Sequence, residues 1–225
     1  MKLAVVIPTL SEAERIGETV RDAQRAAASR VEITVVDGGS TDGTPERAAE
    51  AGARVVTSAP GRARQLGVGA RASRGDVLLF LHADTRLPPG YDTAVFDALR
   101  DPSVVGGAFR FRFDRRTAAL RLIEWGARLR GALLGMPYGD QALFVRRPIL
   151  DEIGGVPQAP IMEDLDLVEA MKRRGRVVLL PLDAVTSARR YLARGPLRTM
   201  LRHWLAAAAW RLGVDRSRVA AWYGR

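Results

Sequence analysis

Apolar and polar positions alternate in two rhythms along this chain, and the rhythm assigns the elements. "KLAVVI" (2–7) is a short continuous apolar run of the kind that a buried strand shows. In "SEAERIGETVRDAQRAAA" (11–28), Ile16, Val20, Ala23 and Ala27 recur at helical spacing, and Ser11 with Glu14 three residues on reads as a capping box. "VEITVV" (31–36) predicts a second strand, after which the turn-forming "DGGSTDGT" leads to Pro45 at the first position of the helix "PERAAEA". "ARVVTS" (53–58) predicts a third strand, "GRARQLGVGARAS" (61–73) a third helix and "DVLLFLHA" (76–83) a fourth strand. Strands alternating with helices predict an α/β fold with a parallel, doubly wound sheet.

The second half is less regular. "VVGGAFRFRF" (104–113) alternates like a half-exposed strand, and 117–134 reads as a helix with Leu122, Trp125, Leu129 and Leu133 on one side. "QALFVRR" (141–147) predicts another strand. "MEDLDLVEAMKRRG" (162–175) opens a helix with acids and closes it with bases and Gly175, as the helix dipole favours. After "RVVLLPL", a last helix at 196–212 carries an apolar stripe of Leu197, Met200, Leu201, Trp204, Leu205 and Ala208. Such a stripe suits core packing or a partner surface, a second copy of the chain included. Its flanking arginines equally suit peripheral contact with anionic lipid.

Composition narrows the classes. At 225 residues and 47% hydrophobic, the chain buries one sizeable core, and the length favours a single domain over 1–225. Without cysteine it has neither disulfides nor thiolate metal sites, which suits the cytoplasm. The N-terminal apolar stretch stops at Pro8, too early for a signal peptide, and no segment is long enough to span a membrane. The net charge of +10 comes from arginine, since Lys2 and Lys172 are the two lysines. That charge attracts phosphate-bearing partners. A nucleic-acid binder would need a basic arm or aromatic–basic interleaving, and the chain has neither, so nucleic acid is not an expected partner.

In doubly wound sheets ligands bind beyond the carboxyl ends of strands. Those ends here carry Pro8-Thr9-Leu10-Ser11-Glu12, Asp37-Gly38-Gly39-Ser40 and His82-Ala83-Asp84. No glycine follows the first strand, which argues against a dinucleotide fingerprint, and no phosphate-binding loop with its lysine is present. Glu12, Asp37 and Asp84 remain, and carboxylates drawn together repel unless a cation or hydroxyl donors compensate. Mg²⁺ or Mn²⁺, held by one or two carboxylates and by substrate phosphates, is the natural compensator.

"VVIPTLSEAERI", "ITVVDGGSTDGT", "GRARQLGVGARASRGDVLLFLHADT" and "MEDLDL", in this order, resemble the family 2 inverting glycosyltransferases of the GT-A fold over about 1–180. "YGDQALFVRR" and "SARRYLARGP" resemble a bacterial branch of that family associated with radical-SAM or arsenosugar genes. The resemblance implies a Rossmann-like, mostly parallel central sheet flanked by helices. Residues 1–100 would be the nucleotide-sugar half, and 101–225 the acceptor half with its amphipathic C-terminal helix. It implies that Pro8, Thr9, Leu10, Glu12, Asp37 and Gly38 hold a UDP- or GDP-sugar, with Arg64 approaching the base or phosphates. His82-Ala83-Asp84 stands at the family's D-x-D, with Asp84 as metal ligand. Asp164 stands at the catalytic base, with Glu163, Asp140 and Gln141 on the acceptor side.

The implied reaction is transfer of a sugar to a small-molecule or lipid-linked hydroxyl with inversion. Asp164 would take the hydroxyl's proton while the metal neutralises the leaving diphosphate. The sequence departs from the family pattern at three places. Leu10 and Ser11 replace an aromatic residue and its neighbour, Gly38 a frequent aspartate, and His82 the first acid of D-x-D. The alternatives are a nucleotidyltransferase, which expects a glycine-rich basic loop after the first strand, and a catalytically silent nucleotide-sugar-binding relative.

Overall fold

In a computed structural model, residues 1–223 are described, with the backbone alone for 132–134. The stripe position Leu133 therefore has its side chain outside the described residues. The first half runs β1 (Leu3–Thr9), α1 (Ala13–Ala26), β2 (Glu32–Asp37), α2 (Thr44–Glu50), β3 (Arg54–Thr57), α3 (Arg62–Ala72) and β4 (Val77–Phe80). The second half runs β5 (Thr85–Arg86), α4 (Tyr91–Ala98), β6 (Val104–Phe113), α5 (Ala118–Leu134), β7 (Leu143–Arg146), α6 (Arg147–Glu152), α7 (Glu163–Lys172) and β8 (Arg176–Thr186). Three helices close the described chain: α8 (Arg189–Arg194), α9 (Pro196–Arg211) and α10 (Arg216–Tyr223).

The eight strands form one sheet in the order β3-β2-β1-β4-β7-β6-β8-β5. β1 pairs in parallel with both β2 and β4, so the chain reverses its winding between β1 and β4. β7 lies antiparallel to β4 and β6, while β6 and β8 are again parallel. Both sheet faces are covered. Val5, Ile7, Val35 and Leu79 pack with Ile16 and Val20 of α1 on one side. Val6, Val36, Leu78 and Phe80 pack with Leu66 of α3 and Leu165 and Val168 of α7 on the other. Burial on both faces explains why β1 and β4 read as unbroken apolar runs. Among the described residues no helix is long and apolar enough to cross a membrane.

Two sequence expectations change. The capping box at Ser11 does not form: Ser11 takes a left-handed backbone (φ +56°) and Glu12 is the N-cap, without a side-chain cap bond. The free amides at the start of α1 are met from the next loop, Glu12 by the Thr44 hydroxyl (2.9 Å) and Ala13 by the Asp42 carboxylate (3.1 Å). The stripe on α5 also turns outward. Leu122, Trp125 and Leu129 are exposed, whereas Leu120, Ile123 and Ala127 pack against Phe111 and Phe113.

Candidate active site

The loops at the reversal point are built by hydrogen bonds between strand ends. The Gln65 side chain of α3, itself buried, donates to the carbonyls of Thr9 (2.7 Å) and Val36 (2.9 Å) and ties β1 to β2. The Asp37 carboxylate, 2% exposed, accepts from the amides of Gly39 (2.9 Å) and Ser40 (2.8 Å) and from the hydroxyls of Ser40 and Thr9. A Cβ on Gly38 would lie 3.1 Å from Gln65 Nε2 and 3.3 Å from the Thr9 carbonyl. A side chain at this position would require the Gln65 amide to shift by a few tenths of an ångström. Thr9, Asp37 and Gly38 are therefore held in one hydrogen-bonded loop at the ends of β1 and β2. Pro8 is partly buried behind them, Leu10 is exposed, and Glu12 pairs with Arg190 of α8 (2.8 Å).

Across the sheet, α7 opens with two carboxylates of opposite character. Glu163 is 1% exposed and bound by the Arg62 guanidinium. Asp164, one residue on, reaches a cleft lined by Arg62, His82, Gly139 and Phe80. Asp164 Oδ2 accepts the Gly139 amide (2.7 Å), Oδ1 accepts the Leu165 amide (3.0 Å), and Arg62 Nη2 lies 3.5 Å away. Burial raises the Asp164 pKa, but the Arg62 charge, the Gly139 amide, His82 and the Leu165 amide outweigh it and hold the carboxyl below its ordinary value. For Arg62 itself burial opposes the charge, and the facing Glu163, Asp164 and Asp140 reverse that, so its pKa is raised. Asp164 is thus an ionised carboxylate with spare lone pairs beside a fixed cation.

Asp140 lies in the short 3₁₀ turn Gly139–Gln141 that also supplies the Gly139 amide. Burial pushes its carboxyl up to about 6, with Arg130 opposing and Asp164 adding to the shift. Gln141 and Glu163 are both buried, and Glu163 lines the same pocket as Asp164. Gln141 Nε2 donates to the Phe109 carbonyl (2.9 Å) while its Oε1 accepts the Tyr138 amide (3.0 Å), so its amide holds the turn on β6. Glu163 is the buried anchor of Arg62.

His82 and Asp84 part company. β4 ends at Phe80, and a turn closed by the Thr85 amide on the His82 carbonyl (3.2 Å) follows, so strand alternation no longer places i and i+2 together. His82 Nε2 lies 3.3 Å from Arg62 Nη1, on the Asp164 side. Asp84 borders a separate cleft of about 330 Å³ with Glu14, Glu18, Asp114, Arg15 and Arg86 on its walls. Its carboxylate has no hydrogen bond or ion pair among the described residues. No three His, Asp or Glu residues there are grouped to hold a metal by themselves. A single unpartnered carboxylate still fits Mg²⁺ or Mn²⁺, which keep most of their shell for water and substrate phosphate.

Arg64 is exposed on α3, while Arg62, two residues earlier, makes the contacts. Arg62, Gly139 and Gln65 are the functional positions that pattern reading passed over. The left-handed non-glycine residues Ser11 (φ +56°), Ala142 (φ +51°) and Met162 (φ +63°) all flank these loops. Such strained conformations gather at working sites, but sequence does not display them.

A profile of the family described as Glycosyl transferase family 2 matches residues 4–154. The glucosyl-3-phosphoglycerate synthase of Mycolicibacterium paratuberculosis is 37% identical over 92 residues, 36% of this chain and 28% of that protein. A second such synthase, from Mycolicibacterium smegmatis, is covered to 30%. The matched segment thus spans less than a third of these relatives. The dolichyl-phosphate hexose transferase of Haloferax volcanii is 30% identical over 178 residues, 76% of this chain and 77% of that protein. Among solved structures, glucosyl-3-phosphoglycerate synthase from Mycobacterium tuberculosis, in complex with Mn²⁺, UDP and glucosyl-3-phosphoglycerate, superposes with a TM-score of 0.67 at 23% identity, covering 95% of this chain and 81% of that one. A mannosyltransferase from Pyrobaculum calidifontis in complex with GDP-Man and Mn²⁺ gives 0.69 at 21%, covering 93% and 64%. At these identities the structural likeness establishes the shared fold.

Proposed function

The chain belongs to glycosyl transferase family 2, and from that premise we propose that it transfers a sugar from a UDP- or GDP-sugar to an acceptor hydroxyl with inversion. The observation that carries this reading is Asp164, ionised at the start of α7 and fixed by the Gly139 amide and Arg62. A carboxylate so held can take the proton from an acceptor hydroxyl as the oxygen attacks the anomeric carbon. Arg62 keeps Asp164 charged and oriented, and Glu163 holds Arg62 in place. A divalent ion held by Asp84 and the donor's phosphates would neutralise charge on the leaving diphosphate.

Residues 1–100 would form the donor half and 101–225 the acceptor half of one domain. The named relatives act on phosphoglycerate or dolichyl phosphate, which supports a phosphorylated small molecule or a lipid-linked compound as acceptor. We place the reaction in the cytoplasm at the inner face of the membrane, a setting supported by the arginines and exposed apolar residues of α9.

Asp164→Asn tests the base. It keeps donor binding, read by calorimetry with UDP- and GDP-sugars and Mn²⁺, and loses transfer by roughly 10²-fold or more. Transfer at the wild-type rate would remove Asp164 from the role.

A further inference from the structure

The last three helices enclose a cleft that shares no lining residue with the pocket around Asp164. This cleft of about 440 Å³ between α8, α9 and α10 is lined by Ala193, Arg194, Arg198, Thr199, Arg202, His203 and Tyr223. Three of these seven residues are arginines and none is acidic. From 189 to 223 the chain carries eight arginines against one acid, Asp215. Asp215 is occupied in the turn before α10, where it accepts the Arg218 amide (3.0 Å).

Arg198 and Arg202 stand one turn apart on α9, a spacing at which like charges repel. Arg194, at the end of α8, is brought beside them by the bend at Gly195, whose left-handed backbone (φ +84°) also caps α9. Arg202 is held by the carbonyls of Trp222 (3.0 Å) and Tyr223 (2.6 Å), and His203 by the Tyr191 hydroxyl (2.9 Å) and a stacked Tyr223 ring. Arg194 and Arg198 have no acidic partner among the described residues. The Thr199 hydroxyl in the same wall is buried and has no hydrogen-bond partner there. The pocket is also at the N-terminus of α9, whose unpaired amides and dipole favour an anion. Three arginines on one cleft wall, without an acidic residue among the lining and beside a helix N-terminus, suit an anion, and phosphate matches guanidinium geometry.

We propose that the Arg194–Arg198–Arg202 pocket binds the phosphate group of a phosphate ester. The ester is either a phospholipid headgroup or a soluble phosphorylated compound. The exposed Leu197, Leu201, Trp204 and Leu205 of α9 continue the surface with apolar area that acyl chains would cover. None of the residues that hold Asp164 lines this pocket, so its occupancy can be measured without donor or transfer.

The test uses the full chain in two arms. One measures sedimentation with phosphatidylcholine vesicles with and without phosphatidylglycerol, and the other measures thermal stabilisation by millimolar glycerol 3-phosphate. The variants are Arg194→Ala/Arg198→Ala and a control of equal charge loss outside the pocket, Arg211→Ala/Arg218→Ala. For a lipid source, wild type and control sediment with the anionic vesicles, and the pocket variant loses roughly 30-fold in affinity. For a soluble source, glycerol 3-phosphate stabilises wild type and control but not the pocket variant. The proposal is overturned if neither arm shows binding, or if pocket and control variants weaken equally in whichever arm binds. Asp164→Asn should match wild type in both arms, which separates this result from the fate of the transfer reaction.

Discussion

Arg62 links most of the chemistry at the scale of single residues. It faces Glu163, Asp164 and His82, and its removal leaves a buried carboxylate unpaired. Breaking a buried pair from one side is among the more damaging single changes, about 3–5 kcal/mol. Arg62→Met is therefore expected to lower the denaturant midpoint strongly, and Arg62→Met/Glu163→Gln to recover much of the loss. If the double variant is no more stable than the single one, Glu163 does not depend on Arg62. The family resemblance pointed to Arg64; both arginines sit in the first turn of α3, and nothing local separates them. Their difference is set by α7, about a hundred residues away. His82 shows the same limit: it stands where a carboxylate was expected and turns toward Arg62.

Elements carry the next level, because the base is positioned by a turn that belongs to another part of the sheet. The 3₁₀ turn at Gly139–Gln141 donates its first amide to Asp164, and a Cβ on Gly139 would lie 3.0 Å from Asp164 Oδ2 and 3.3 Å from its Cβ. Gly139→Ala must push the carboxylate aside. The expected outcome is a kcat lower by roughly 10- to 100-fold with donor KM unchanged and the fold intact by circular dichroism. An unchanged kcat would show that the turn does not set the base. Most of the principal strands and helices were legible from periodicity, because β1, β2 and β4 are buried on both faces, α1 buries Ile16, Val20 and Ala23 at helical spacing, and α7 opens with acids and closes with a base. The stripe on α5 misled for a physical reason. Its most conspicuous side chains, Leu122 and Trp125, are exposed, while Leu120, Ile123 and Ala127 face β6.

For the whole molecule, proton linkage gives a readout of how the halves meet. Asp140 is partly buried where the turn approaches α5, α8 and α9, and its carboxyl is raised from 3.8 to about 6. The folded chain therefore holds this proton more tightly than the unfolded chain. The Asp140 contribution makes stability fall as pH rises through that interval and level off above the folded value. Asp140→Asn removes the ionisation, so its melting temperature should exceed wild type at about pH 7.5, by a margin that shrinks toward about pH 4.5. An equal margin at both values would show that Asp140 is not buried against its charge.

By itself the sequence determined the family, the α/β alternation and the strand ends at which polar residues collect. Those are local or short-range properties: burial on two faces, helix-end chemistry and motifs contiguous in the chain. Which of the collected residues meet was decided only by the tertiary structure. Asp37 is enclosed by its own loop, Gln65 ties two strands together, His82 and Asp84 face different clefts, and Asp164 is held by Gly139 and Arg62. Each of these depends on contacts across many residues of chain, where the geometry of sheet order and helix packing, and no local pattern, sets the distance.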